Sequence, residues 1–191
     1  MKLIQRAKED HILVTAESTP HNFTLIDENV GEGDPFFKMN PPLRRPEDVE
    51  AILLGIKNGV IDCIASDHAP HELESKQKGF QSAACGIIGL QTILPLTLKR
   101  VNEGRISLAR AIDALAIAPR KTFGLEPVKL QKGFTADLTL IDPEMEFTFT
   151  QKMNRSKSIN GPFFGWKFTG CAVRTIVGGR TVFDINELDL N

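Results

Sequence analysis

The residues best suited to chemistry lie in one hexapeptide, Ser66-Asp67-His68-Ala69-Pro70-His71, which directly follows a short apolar run. A carboxylate at the carboxyl end of a strand could bind a divalent metal ion and also take a proton from metal-bound water. His71, in a loop kinked by Pro70, could then reach a substrate carboxylate. The alternative is that Asp67 caps a turn and the histidines lie on the surface. One aspartate and two histidines prove little on their own.

Three other segments carry polar groups that could face the same ligand. Glu17 or His21, after an earlier apolar run, could lie at the same end of a sheet, or the segment is an ordinary turn of Ser, Thr and Pro. Two prolines after Asn40 could aim its amide at a ligand carbonyl or ring nitrogen, or simply stiffen a connection. Cys85-Gly86 opens a predicted helix, where backbone N–H groups favour an anion. The alternative there is a plain helix start.

The elements that must position these groups alternate between strand and helix. Residues 11–17 and 60–66 are apolar and β-branched, which is typical of buried parallel strands. A helix is predicted to open at Pro46 and close at Asn58-Gly59, with one apolar stripe formed by Val49, Ile52, Leu53 and Ile56. Further helices are predicted over residues 2–10, 86–102, 108–117 (capped by Ser107) and 119–124. This order predicts an α/β fold.

From about Leu125 the apolar period changes to two, which predicts a small β unit. Strands are predicted over residues 137–142 and 146–150, and residues 173–177 and 180–183 form a hairpin around Gly178-Gly179. The chain is therefore expected to comprise two units, residues 1–124 and residues 125–191. Asn160–Trp166 is an aromatic segment that could be a surface patch, although packing between the two units explains it better.

Composition excludes several classes of protein. The 191 residues are 41% hydrophobic and 25% charged, so disorder and coiled coil are excluded as the main description. The 23 basic and 24 acidic residues give no electrostatic reason to expect nucleic acid or a membrane surface as partner. No apolar run approaches a membrane span, and the N-terminus lacks a signal-peptide pattern. Widely spaced Cys63, Cys85 and Cys171 indicate reduced thiols in the cytoplasm, without thiolate-bound structural zinc.

Taken together, five segments resemble one family: TAESTPH, KMNPPLR, IDCIASDHAPH, CGIIGLQTILPL and NGPFFGWKFTGCAVRTIVGGR. They are similar to the C-terminal half of bacterial, multifunctional-type (class I) dihydroorotases, which belong to the amidohydrolase superfamily of metal-dependent TIM barrels. The resemblance covers about residues 10–184. It implies that residues 1–124 are the C-terminal part of a (β/α)8 barrel and residues 125–191 the C-terminal segment of the flanking small β domain.

The resemblance also implies a reaction and a set of roles. The reaction is the reversible hydrolysis of (S)-dihydroorotate to N-carbamoyl-L-aspartate in pyrimidine synthesis, at a binuclear zinc centre. Asp67 matches the aspartate that ligates zinc and acts as general base and then acid. Asn40, His71 and the Cys85-Gly86 backbone match positions that bind dihydroorotate. Glu17 matches a glutamate near the metals in some members.

The chain departs from the family pattern in its metal ligands. Its four histidines include no His-x-His pair, and His21-Asn22 replaces the usual His-His. One aspartate cannot hold a binuclear centre, because catalytic zinc takes about three protein ligands. Half a barrel would also expose strand edges that need a partner. We therefore expect a fragment whose missing ligands lie upstream of Met1, in an N-terminal half.

Two alternatives remain open at this point. One is a non-catalytic, dihydroorotase-like scaffold subunit for aspartate carbamoyltransferase, although intact Asp67, Asn40 and His71 favour descent from an active enzyme. The other is a related cyclic amidase acting on hydantoin or allantoin. In each case we expect a homo-oligomer in the cytoplasm that recognises no nucleic acid or membrane. If the protein is a dihydroorotase or another cyclic amidase, we also expect it to bind a small-molecule substrate.

Overall fold

A parallel βαβ unit forms the centre of the α/β part. The computed structural model describes residues 1–187. Strand β1 (Glu17–Ser18) pairs in parallel with β2 (Cys63–Ile64), with Glu17 opposite Cys63, and an isolated parallel bridge joins His68 to Ile87. Helix α2 (Pro46–Lys57) connects the two strands. Because the strands are parallel, the segments after Ser18 and after Ile64 emerge at the same edge.

The two strands are shorter than the sequence predicts. Of the predicted strand 11–17 only Glu17 belongs to β1, which extends one residue beyond the prediction, and of 60–66 only Cys63–Ile64 forms β2. Ile12 and Leu13 are 59% and 102% exposed, so the prediction of a buried strand is wrong for this segment. The reason is that no other segment within residues 1–187 pairs with β1 on its far side. Helix α1 (Lys2–Glu9), predicted over residues 2–10, is confirmed.

Helix α2 follows its sequence signals closely. Pro46 occupies the first turn together with two acidic residues, and the helix ends at Lys57 before Gly59, whose φ is +73°. Proline and carboxylates suit a helix N-terminus, and glycine suits the left-handed residue that ends a helix. Its buried face packs into an apolar group that we call the strand-side cluster: Phe23, Val49, Leu53, Ile56, Ile61, Ile64, Ile106, Ala111 and Ala114.

The helices after β2 differ from the prediction at several points. The predicted loop before residue 84 contains two short helices, α3 (Leu73–Lys76) and α4 (Gly79–Ser82). The predicted helix 86–102 is wrong in its first part, because α5 spans only Ile93–Asn102. Residues 86–92 do not start a helix: Gly86 has φ +111° and Ile87 bridges to His68. Pro95 is tolerated because it lies in the first turn of α5.

The next helical stretch is continuous. Helix α6 (Leu108–Ile112) passes through a π-helical turn (Asp113–Ile117) into α7 (Ala118–Thr122), so two predicted helices are one rod. The predicted cap is confirmed, because Ser107 Oγ accepts a hydrogen bond of 3.1 Å from the Arg110 N–H. The rod contributes Ala111 and Ala114 to the strand-side cluster. No helix within residues 1–187 is long and apolar enough to cross a membrane.

The β unit is an antiparallel sheet of three strands in the order β3-β4-β5. Strand β3 (Leu138–Thr148) merges both predicted strands, which are separated only by an irregularity between Asp142 and Glu146. Strands β4 (Lys167–Val177) and β5 (Arg180–Asp184) form the predicted hairpin. Gly178 and Gly179 both have positive φ, as a tight hairpin requires. The predicted unit runs to residue 191, and its last four residues lie outside the described part.

A second apolar group joins the β unit to the α/β part, and we call it the junction cluster: Leu25, Met39, Leu43, Ile87, Leu96, Phe149, Phe163 and Phe168. Within it, the Phe163 ring meets the adjoining Trp166 ring edge to face, with centroids 5.1 Å apart. The packing interpretation of Asn160–Trp166 is therefore confirmed. The division of the chain at residue 124 stays a prediction. The three cysteines are free thiols, of which only Cys85 is exposed.

Candidate active site

Asp67 lies three residues after β2, in an exposed turn with a left-handed backbone (φ +47°). Non-glycine residues rarely adopt this conformation, and those that do cluster at functional sites. His21, after β1, is only 3% exposed, and its Nε2 lies 2.8 Å from Thr19 Oγ1. Burial lowers the pKa of His21 to about 4, and the Asp67 carboxylate partly opposes this shift. His21 is therefore neutral at pH 7, and it interacts electrostatically with the Asp67 carboxylate.

The His68 side chain is hydrogen-bonded to the backbone and is not a free surface group. Its Nδ1 accepts a hydrogen bond of 3.0 Å from the Gly89 N–H. Gly89 is itself pressed against the end of the strand: a Cβ there would overlap the Ser66 carbonyl oxygen. The residues on both sides of Asp67 are thus tied to the segment that precedes α5.

His71 and Cys85, which the sequence predicts to share a site, are brought into contact. His71 Nε2 lies 2.8 Å from the Cys85 carbonyl oxygen. Because that oxygen can only accept, Nε2 carries the proton of this hydrogen bond. The backbone N–H of His71 donates to Asn160 Oδ1 at 3.1 Å. Asp67, His71 and Cys85 therefore belong to two loops at the same edge of the parallel strands.

The predicted role of Gly86 as the first residue of a helix is wrong. The Gly86 N–H donates to the Lys38 carbonyl oxygen at 2.9 Å, and the helix begins only at Ile93. A Cβ at position 86 would lie 2.6 Å from Ala69 Cβ, so the two loops approach as closely as glycine allows. Within residues 1–187 the Cys85 N–H has no hydrogen-bond partner. Of Cys85 and Gly86, only Cys85 therefore has a backbone N–H that could donate to a ligand. Substrate binding at this N–H stays a prediction.

Asn40 lies near the same loops but on their exposed side. It follows Lys38, whose carbonyl receives the Gly86 N–H, and the buried Met39. The Lys38 side chain also donates to the Gln81 and Ala83 carbonyls, both at 2.8 Å. Asn40 is thus linked through its own backbone to the Cys85-Gly86 segment. Glu17 pairs with Cys63 in the strands beneath and is exposed.

Two residues that the sequence analysis missed hold these loops together. Lys76 is completely buried, and its Nζ donates to the carbonyls of Ala84 (2.9 Å), Gly86 (3.0 Å) and Lys38 (3.5 Å). Burial lowers the pKa of Lys76. Asn160 is 1% exposed and bonds to both the His71 and the Gly86 loops. We call the residues joined in this way the loop network: Lys38, Ala69, His71, Lys76, Cys85, Gly86, Ser158 and Asn160.

The sequence offers little signal for either residue. Lys76 lies in a charged stretch from Glu72 to Lys78 that is typical of a solvated face. Asn160 precedes Gly161-Pro162, which is typical of a turn. Their partners are distant in sequence, up to 91 residues for the bond from Asn160 to Ala69.

The donor set does not make a metal centre by itself. In the part of the chain that the structure describes, no group of three or more His, Cys, Asp or Glu side chains could hold a metal ion. Asp67 offers one carboxylate at the strand edge, and His68 Nδ1 and His71 Nε2 are engaged with backbone groups. Catalytic zinc takes about three protein ligands. Asp67 could therefore supply one ligand of a zinc site, and the described residues do not supply a complete set of ligands.

Comparison with known proteins gives consistent matches. Residues 4–182 match the amidohydrolase family. The chain is 45% identical over 183 residues to the dihydroorotase of Trichlorobacter lovleyi, covering 96% of this chain and 43% of the relative. It is 48% identical over 187 residues to the dihydroorotase of Endomicrobium trichonymphae, covering 97% and 44%.

Among solved structures, the L-hydantoinase (dihydropyrimidinase) from Arthrobacter aurescens superposes with a TM-score of 0.89 at 34% identity, covering 96% of this chain and 42% of that one. A D-hydantoinase from a Bacillus sp. superposes with a TM-score of 0.89 at 25% identity, covering 98% and 43%. The predicted fold class, the α/β portion of an amidohydrolase TIM barrel followed by β strands, is confirmed. The chain spans less than half the length of each of these relatives.

Proposed function

This chain belongs to the amidohydrolase family, and from that premise we propose that it is part of a dihydroorotase. The complete enzyme would hydrolyse (S)-dihydroorotate reversibly to N-carbamoyl-L-aspartate in pyrimidine synthesis. The observation that carries this proposal is the convergence of Asp67, His71 and Cys85 at one edge of the parallel strands, in a chain whose relatives are named dihydroorotases.

The reaction is the addition of water to a ring amide. The water oxygen attacks the carbonyl carbon, the carbon–nitrogen bond breaks, and the ring nitrogen takes up a proton. Asp67 is suited to accept the proton of the attacking water and to return it to the leaving nitrogen, because it is exposed at the strand edge and has no fixed partner within residues 1–187. Its left-handed backbone supports this role.

The substrate carries a carboxylate, and the loops offer groups that match it. The Cys85 N–H is one donor. The His71 imidazole is a second candidate, because its hydrogen bond to the Cys85 carbonyl holds it beside that N–H. The Asn40 amide, on the exposed side of its loop, would hydrogen-bond a ring carbonyl or nitrogen.

The proposal includes zinc for the complete enzyme. Asp67 would supply one ligand to the binuclear centre, and the remaining ligands would come from residues other than those described. A bound zinc ion would polarise the amide carbonyl and acidify water. We also propose the cytoplasm as the location, a homo-oligomer as the assembly, and aspartate carbamoyltransferase as a candidate partner.

The solved relatives favour one second candidate. The L-hydantoinase superposes with a TM-score of 0.89 at 34% identity, so a related cyclic amidase would use the same Asp67 on a different ring. The two functions differ in the substrate carboxylate, which hydantoin lacks. The groups around Cys85 and His71 favour the substrate that carries it.

A chimera tests the proposal. This chain replaces the matching segment of the Endomicrobium trichonymphae dihydroorotase, and ring opening is measured for dihydroorotate and for hydantoin. We expect dihydroorotate to be the better substrate. Asp67→Asn should lower kcat by about a thousandfold, since general acid–base and metal-ligand roles are both lost. The matched control is Asp10→Asn, at an exposed aspartate after α1, which should leave kcat unchanged.

Each other outcome points elsewhere. Wild-type rates in Asp67→Asn would refute the assigned role. Opening of hydantoin but not of dihydroorotate would favour the cyclic amidase. A folded chimera that opens neither ring, while the parent relative is active, would overturn the proposal in favour of a non-catalytic scaffold. Zinc content, measured on the same samples, should fall in Asp67→Asn.

A further inference from the structure

Asn160 is a buried amide with every hydrogen-bonding position in use. Its Oδ1 accepts from the His71 N–H at 3.1 Å and from Ser158 Oγ at 2.6 Å. Its Nδ2 donates to the Ala69 carbonyl at 2.9 Å and to the Gly86 carbonyl at 3.1 Å. An amide has two acceptor and two donor positions, so Asn160 is fully satisfied. No aliphatic or charged side chain of this size could make the same four bonds.

These bonds run to both loops of the candidate site. Ala69 and His71 belong to the loop after Asp67, whereas Gly86 belongs to the turn that presents the Cys85 N–H. The contact between His71 Nε2 and the Cys85 carbonyl is a further polar link between the two loops, and beside it the Ala69 N–H donates to the Ile87 carbonyl at 2.8 Å. Asn160 is therefore a side chain that bonds to both loops at the point where His71 meets the Cys85-Gly86 peptide.

The side chain comes from the β unit. Asn160 lies between β3 and β4, three residues before Phe163 of the junction cluster, and its own carbonyl accepts from the Ile88 N–H at 3.0 Å. Gly161 packs so closely that a Cβ there would lie 3.0 Å from Ile88 Cγ1. The backbone of Asn160 is thus fixed by contacts that do not involve its side-chain amide.

We propose that Asn160 is a positioning residue that sets the spacing between His71 and the Cys85-Gly86 peptide, so that the β unit takes part in substrate binding. This inference rests on the proposed function for its kinetic consequence only. Lys76 acts on the same Gly86 carbonyl but ties it to Lys38 and Ala84, on the other side of the turn. Asn160 is therefore the residue that links Gly86 to the His71 loop.

The geometric part is tested by amide hydrogen exchange in the 191-residue chain, followed by NMR. Asn160→Ala removes the acceptor of the His71 N–H, so exchange at His71 should accelerate about tenfold or more. Exchange at Ile88, whose N–H bonds to the backbone carbonyl of residue 160, should stay within about threefold of wild type. Asn160→Asp retains the acceptor and should preserve the protection of His71.

The functional part is tested in the chimera. Both Asn160→Ala and Asn160→Asp remove the donor to Gly86, so the KM for dihydroorotate should rise about tenfold while kcat changes less than about threefold. The matched control is Asn102→Ala. Asn102 also tethers the β unit, through a 3.4 Å bond to the Thr169 carbonyl, but it lies away from the loops. Its KM should equal that of wild type.

The outcomes separate this inference from the proposed function. An unchanged KM in a folded Asn160→Asp chimera would overturn the positioning role, as would unchanged exchange at His71 in Asn160→Ala. An equal rise in KM for Asn102→Ala would show that any loosening of the β unit has the same effect, and would also overturn it. If the wild-type chimera opens no dihydroorotate, the proposed function fails, and the exchange comparison alone decides whether Asn160 holds the two loops.

Discussion

The strand-side cluster and the loop network are two regions of the molecule that are held together by different forces. The strand-side cluster consists of aliphatic and aromatic side chains packed around α2 and the α6–α7 rod. The loop network is held by hydrogen bonds to backbone carbonyls and N–H groups, with the buried side chains of Lys76 and Asn160 at its centre.

The difference matters because the two forces respond differently to substitution. Apolar packing is non-directional, so a cavity lowers stability without redirecting a loop. Hydrogen bonds to a buried amide or ammonium are directional, and losing one moves the groups that it held. We therefore expect stability to depend on the strand-side cluster and both stability and binding to depend on the loop network.

The largest expected effect is on the strand-side cluster. Ile56 is completely buried on α2, so Ile56→Ala should lower the unfolding free energy by about 4 kcal/mol, through lost burial and a residual cavity. Denaturant unfolding of the 191-residue chain measures it, with Ile56→Val as the matched control at about 1 kcal/mol. The KM of the folded Ile56→Ala chimera should be unchanged. A changed KM would break the separation between the two regions.

The next effect is on the loop network. Lys76→Met keeps the volume but leaves the Ala84 carbonyl unpaired and removes one of the two donors to the Gly86 carbonyl, so the unfolding free energy should fall by about 3 kcal/mol. The KM for dihydroorotate should rise as well, unlike in Ile56→Ala. Lys78→Met, two residues along on an exposed lysine, is the control for loss of a positive charge. Loss of stability with an unchanged KM would show that the network holds the fold without shaping the site.

The smallest effect concerns His21, which is buried in the segment after β1. Burial lowers its pKa from the ordinary value of 6.5 to about 4 in the folded chain, so the unfolded state binds the proton first as pH falls. Stability should therefore be complete above pH 6.5 and decline towards pH 4, by about 2 kcal/mol between pH 7 and pH 5.

Denaturant unfolding of the metal-free chain at a series of pH values measures this effect. The comparison is with His21→Gln, which cannot titrate and should show a flatter profile over that range. An equal decline in both proteins would assign the pH dependence to other groups.

Local signals were sufficient for part of the fold. Helix α2 was predictable at both ends because its proline, acidic first turn and terminal glycine act within the helix itself. The hairpin at Gly178-Gly179 was predictable for the same reason. The start of α5 was not, because Ile87 bridges to His68 and Gly86 bonds to Lys38, and these partners are distant in sequence.

The residues of the candidate site also fall into those that local sequence signals identify and those that depend on distant partners. Asp67, His71 and Cys85 could be singled out because chemically versatile residues follow strands and carry the family resemblance. Lys76 and Asn160 could not, because a lysine among charges and an asparagine before glycine-proline have no local mark of burial. Their roles come from carbonyls up to 91 residues away. The chemical roles of Asn40, Asp67, His71 and Cys85 stay predictions.

The contact between Gly89 and the Ser66 carbonyl has an evolutionary consequence. Leu90 is exposed beside it, so its side chain can vary, whereas the Gln91 side chain hydrogen-bonds to Met153 and Arg155. A side chain at position 89 would push away the peptide that leads into Asp67. A lineage that replaces Gly89 is therefore expected to shift the backbone that carries Asp67. We therefore expect positions 67 and 89, which lie 22 residues apart, to vary together.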